Sequence, residues 1–112
     1  LDAFEGPLDL LLYLIRKNNM DILNIPIAEI THQYLAYVEL MKVHHLELAA
    51  EYLVMAAMLA EIKSRLLLPR SEETPEEEDP RAMLIKRLQE YERIKTAAEQ
   101  LEAMPRLGRD FF

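Results

Sequence analysis

The chain has no cysteine, and its 112 residues include only two glycines, Gly6 and Gly108. The first absence excludes a disulfide framework and any thiolate metal site; the second excludes a glycine-rich phosphate loop. Histidine is scarce too. His32, His44 and His45 are the whole supply, and adjacent His44 and His45 in a connection between helices do not bring the three or four converging ligands that a metal needs. No apolar run approaches the length of about 18 residues expected of a spanning helix, and no signal-peptide pattern is present. A soluble protein inside the cell, with no membrane partner, is the expectation. Ser64 and Ser71 have no neighbouring base to activate them. Glu47 and Glu51, one turn apart, have the spacing of a carboxylate pair for acid–base work, but the wet edge of a helix accounts for them as well. An enzyme therefore has almost nothing to stand on, and no cofactor is expected.

Charge is unevenly placed. The net charge is −7, yet six acids and no base fall within 71–79 (Glu72, Glu73, Glu76, Glu77, Glu78, Asp79). Removing those six from the 20 acids leaves 14 against 13 bases. Outside the tract the charge is nearly balanced, which argues against a basic nucleic-acid-binding face. The tract holds no apolar residue and reads as a flexible, self-repelling linker. Opening on Leu1 and stopping at Phe111-Phe112 with no closing element, the chain is expected to be a piece of a longer one.

What is abundant is helix-patterned hydrophobicity, punctuated by proline. Gly6-Pro7 opens a first helix, because proline at the first helical position loses no needed N–H; it runs to about Asn18-Asn19, where a left-handed cap fits. Phe4, just ahead, is placed to pack back as a hydrophobic staple, so Phe4, Gly6 and Pro7 are assigned structural roles. Residues 21–24 read as a short extended link. A second helix over 26–42 is one-sided, with Ile27, Ile30, Tyr34, Val38 and Met41 inward. The third, over 47–69, is the element around which the chain is expected to be organised, since 52–60 carries no charge at all. It divides into a bulky face (Leu48, Tyr52, Met55, Leu59, Ile62, Leu66) and a roughly opposite small-residue face (Leu46, Ala49, Ala50, Leu53, Ala57, Ala60, Ser64, Leu67). A fourth helix follows from Pro80 to about Met104, with Asp79 as N-cap and Leu84, Leu88, Tyr91, Ile94 and Leu101 along one side. No segment alternates with period two for long enough to make a sheet. The fold class is all-α: a three-helix domain over 1–70, a linker over 71–79, and a long amphipathic helix within 80–112.

Three short helices are too few to cover both faces of helix three and most of helix one. Exposed apolar surface of that extent marks a partner site, although close packing inside a small bundle would produce the same alanine stripe.

Several ordered stretches resemble one family. Phe4-Glu5-Gly6-Pro7-Leu8-Asp9-Leu10-Leu11-Leu12 is similar to the opening of segregation and condensation protein A, the bacterial kleisin. So are Ile25-Pro26-Ile27-Ala28-Glu29-Ile30, Ala49-Ala50-Glu51-Tyr52-Leu53-Val54-Met55-Ala56-Ala57, Glu61-Ile62-Lys63-Ser64-Arg65-Leu66-Leu67-Leu68-Pro69, Asp79-Pro80-Arg81, Tyr91 with Lys95, and Leu107-Gly108-Arg109-Asp110. The resemblance implies a non-enzymatic subunit that bridges an SMC ATPase complex in chromosome condensation, segregation and cell division. It would be cytoplasmic and nucleoid-associated, and would meet DNA only through the complex. It further implies that helix three docks on the SMC coiled-coil neck through Ala49, Ala50, Leu53, Ala57, Ala60, Ser64 and Leu67. A dimer of segregation and condensation protein B would take the segment from Pro80 onward, through Leu84, Leu88, Tyr91, Ile94 and Leu101. The family's C-terminal winged-helix domain has no counterpart in this sequence, so ring closure on a second SMC head is not expected of it. Two other classes stay open: a self-associating helical bundle, and a small DNA-binding regulator, which would need a helix basic on one side.

Overall fold

The computed structural model describes residues 4–44, 47–68 and 79–104, which include most of all four expected helices. They are α1 (Pro7–Lys17), α2 (Ile27–Val43), α3 (Ala50–Leu67) and α4 (Ala82–Ala103). No strand occurs among the described residues, and the fold is all-α. The linker expected over 71–79 lies, apart from Asp79, outside them, as do Leu46, Phe111 and Phe112.

The start and stop of α1 follow from its end residues. Pro7 occupies the first turn after Gly6, whose φ of 127° and ψ of 178° belong to a region that is essentially glycine's alone. At the other end Asn19 takes φ 53°. The Met20 N–H reaches the Ile15 carbonyl at 2.9 Å and the Asn19 N–H the Arg16 carbonyl at 3.2 Å, which together make a Schellman motif. The Asn18 amide adds a side-chain bond to the Leu14 carbonyl and another to Gln33 of α2. Residues 21–24 depart from the extended link expected of them. The Asp21 carboxylate accepts from the Leu23 N–H at 3.0 Å and winds Ile22–Asn24 into a 3-10 turn, a capping role that short acidic side chains favour.

α2 buries Ile27, Ile30, Tyr34 and Val38 and keeps Glu29 and Glu39 in solvent. α3 turns Tyr52, Met55, Leu59 and Ile62 inward, so its bulky face is the core face; Leu66, also placed on that face, is exposed beyond the end of the packing. Between them the Tyr34 hydroxyl, fully buried, donates to the Tyr52 carbonyl at 2.8 Å.

Helix one, not helix three, is the centre. Leu10, Leu11, Leu12, Leu14 and Ile15 are all buried, because α2, α3 and α4 each pack on α1. A helix apolar nearly all round needs cover on every side, and each leucine so covered is worth about 1.5–3 kcal/mol of transfer free energy. The third cover is α4. Read from the sequence as a segment apart from the three-helix domain, it lays its first half on α1 and the 3-10 turn, with Leu84 and Leu88 1% and 0% exposed. Arg81 secures the junction: its guanidinium donates to the Ile25 carbonyl and the Asn24 side-chain oxygen, each at 2.9 Å, while pairing with Asp79. Asp79 also accepts from the Arg81 N–H at 2.9 Å, which closes the turn ahead of α4; the N-cap itself is Arg81, with no side-chain cap bond, so Asp79 is not the cap expected of it.

Candidate docking faces

With its bulky face committed to the core, α3 presents the small-residue face to solvent. Ala49, Ala50, Leu53, Ala57, Ala60, Ser64 and Leu67 are all exposed, Leu53 by 50% and Leu67 by 75%. From Ala50 to Leu67 these residues step by three and four alternately, the spacing of a coiled-coil seam. The seam is about 25 Å long at the helical rise. Its alanines and Ser64 permit close backbone approach, and Leu53 and Leu67 stand out from it as knobs. Glu61 and Arg65 are exposed on one flank and Lys63 on the other.

The residues expected along one side of α4 divide between two stripes. Leu84 and Leu88 belong to the chain's own core. Tyr91 is half-buried beside them, and its hydroxyl donates to Glu5 at 3.3 Å. Ile94 and Leu101 are 69% and 58% exposed, roughly a third of a turn round the helix from the buried stripe. They lie on the outer surface with Met83 and Met104, both exposed. The reason is geometric. A single side of a docked helix spans only the residues that step by three and four from Leu84, namely Leu88, Tyr91 and Lys95, and Ile94 falls off that line.

The three residues assigned structural roles meet at the start of α1. Phe4 packs its ring against Tyr13 and Tyr37, centroids 5.5 and 5.8 Å away, which fixes the chain entering the helix. Gly6 and Pro7 set the first turn as described. Beside them sits a polar centre that the sequence reading did not single out. Asp9 is buried; one carboxylate oxygen accepts from the Glu5 N–H at 3.1 Å and the other from the Lys95 ammonium at 2.5 Å. Burial pushes the Asp9 carboxyl up, but the bonds from Lys95 and Glu5 and the Lys95 charge outweigh it and hold the group below the usual carboxylate range. Burial, reinforced by the charges of Asp9 and Glu5, pushes the Tyr91 phenol up to about 12. Tyr52 of α3 is also raised, chiefly by burial, against a hydrogen bond from the Gly6 backbone that favours its ionised form. α3 and α4 thus both converge on the Glu5–Asp9 turn at the start of α1. The available signal was an acid at the third helical position inside an otherwise apolar run, together with a lysine one turn beyond Tyr91.

A groove of about 360 Å³ runs between α3 and α4 over this turn, with Val54, Met58, Arg87 and Tyr91 among its walls. Among the described residues no group of three or more His, Cys, Asp or Glu side chains is placed to hold a metal. No described helix is long and apolar enough to cross a membrane.

Comparison with known proteins adds a family. Residues 14–110 match the family described as Segregation and condensation protein ScpA. Segregation and condensation protein A of Coxiella burnetii is 70% identical over 113 residues, covering all of this chain and 42% of the relative. That of Xylella fastidiosa strain 9a5c is 69% identical, covering 98% of the chain and 37% of the relative. That of Bacillus subtilis is 56% identical, covering 91% and 43%. The chain therefore spans roughly two fifths of the length of these curated relatives.

Proposed function

The chain belongs to the segregation and condensation protein A family, and we propose that it is the non-enzymatic linking part of an SMC complex that condenses and segregates chromosomes. In this reading α3 joins the coiled-coil neck of an SMC subunit as an added helix. The segment from Pro80 onward engages a dimer of segregation and condensation protein B. DNA is met only through the assembly, and the site of action is the cytoplasm, at the nucleoid.

The exposed seam of α3 carries the proposal. Its opposite face is already filled by α1 and α2, so the seam is left over from folding, and its three-four spacing suits a helical partner. Solvent exposure of Leu53 and Leu67 forfeits apolar burial that a partner helix would recover.

The test is co-purification of this chain with an SMC head carrying its neck, beside Leu53→Glu and Ala57→Glu. Both substitutions should abolish capture while leaving the circular dichroism melt unchanged. A collapsed melt would make the seam part of the core. A stable dimer of the free chain by light scattering at micromolar concentration, disrupted by the same substitutions, would transfer the seam to self-association.

A further inference from the structure

Two of the residues assigned above to the protein B interface, Leu84 and Leu88, cannot touch another protein while they are buried against α1 and the 3-10 turn. We propose that α4 is a detachable clasp, its first half held on α1 by the Lys95–Asp9 and Tyr91–Glu5 contacts, so that internal docking and protein B compete for the same Leu84–Leu88–Tyr91 stripe. The inference rests on the reading that this stripe is the protein B site, and adds how access to it is controlled.

The docking is built to open from one end. α4 lies along α1 rather than wedged into the middle of the bundle, and from Thr96 to Met104 every residue is exposed. A partner gripping Ile94 and Leu101 on this projecting half therefore has a foothold before any core contact breaks. The contacts next in line are polar and sit at the rim. Lys95 keeps a third of its side chain in solvent, the Tyr91–Glu5 bond is 3.3 Å long, and Arg16 and Glu92 stand 3.9 Å apart, both well exposed. At the far end Arg81 grips Ile25 and Asn24, so release from the Lys95 end frees the stripe while the base of α4 stays tethered. Opening need not unravel α1, because Asp9 still accepts from the Glu5 N–H when Lys95 has left. Apparent affinity then scales with the open fraction, so a tenfold rise in that fraction tightens binding tenfold until the open form dominates.

Lys95→Gln and Asp9→Asn test the clasp. Lys95→Gln leaves the Asp9–Glu5 bond in place, which separates loosening of α4 from damage to the start of α1. Hydrogen exchange of the free chain should quicken from Leu84 to Tyr91 while α2 and α3 keep their protection. The apparent Kd for a purified segregation and condensation protein B dimer should fall by about three- to tenfold, by the same open-fraction relation. Faster exchange with unchanged or weaker binding overturns the clasp and places protein B on the outward stripe with α4 still docked. Unchanged exchange in both variants overturns it too, since the ion pair would then hold nothing. If neither the wild type nor the variants bind the dimer, the interface assignment itself falls, and the clasp with it.

Discussion

Asp9 and Lys95 stand 86 positions apart in sequence and 2.5 Å apart in space. The pair joins the first turn of the central helix to the midpoint of the last. Because the folded state holds the Asp9 carboxyl below its ordinary value, the folded chain takes up that proton less readily than the unfolded chain. The resulting stabilisation is fully present above the unfolded value near pH 4 and is lost as pH falls through the folded one. Asp9→Asn should cost about 1.5–3 kcal/mol near neutrality, the range for a hydrogen bond to a charged group. The difference between wild-type and variant melting temperatures should shrink below about pH 4. A gap that stays constant down to pH 2 would show that Asp9 contributes nothing as an anion.

Gly6 gives a sharper test of local geometry. A Cβ added there would meet no atom closer than the Glu51 carboxylate at 4.0 Å, so space is not the obstacle; the backbone conformation is. Gly6→Ala should destabilise the chain by about 1–3 kcal/mol, the cost of holding a non-glycine residue in that region. Denaturant melts measure it, and a loss below about 0.5 kcal/mol, the range of an unremarkable surface substitution, would refute the strain argument.

The helices were legible because their signals are local. Pro7, the Asn18-Asn19 cap, Pro26 and the charge-free run of helix three fix ends and faces by short-range rules, and the bulky face of α3 did prove to be its core face through Tyr52, Met55, Leu59 and Ile62. The arrangement was harder. Leu10, Leu11, Leu12, Leu14 and Ile15 mark α1 as over-hydrophobic, but nothing local says which element covers it. That α4 returns to do so depends on Asp9 meeting Lys95 and on Arg81 meeting Ile25, pairings 86 and 56 positions apart in sequence. Leu84 and Leu88 read as one side of an amphipathic helix offered to a partner; that α1 of the same chain buries them was not legible. The 3-10 turn was missed because the Asp21 side chain, rather than the residues that form the turn, specifies it.

Thr31 is buried in α2, and its hydroxyl has no hydrogen-bond partner among the described residues. An unsatisfied buried hydroxyl carries a desolvation cost of about 1–3 kcal/mol. Valine has the same shape and nearly the same helix propensity, so Thr31→Val should raise stability by about 1 kcal/mol, within that cost. A lower melting temperature in the valine variant would show that the hydroxyl finds a partner in solution, most simply an ordered water.

The two faces of α3 should respond oppositely to the same kind of truncation. Leu59 is fully buried among Tyr52, Met55 and Ile62 and the facing helices, so Leu59→Ala removes transfer free energy and leaves a cavity, at a cost of about 2–5 kcal/mol. Leu67 lies on the same helix and has the same side chain, but it is 75% exposed. Its truncation removes little from the folded chain, and Leu67→Ala should stay within about 0.5 kcal/mol of wild type. Urea melts of the free chain measure both. The order should reverse in a binding assay against a coiled-coil partner, scored per folded molecule, because a knob on the outward seam contributes only once a partner helix closes over it. Equal destabilisation by the two substitutions in the free chain would mean that the seam is covered in solution, and light scattering of the wild type would then have to show the second copy covering it.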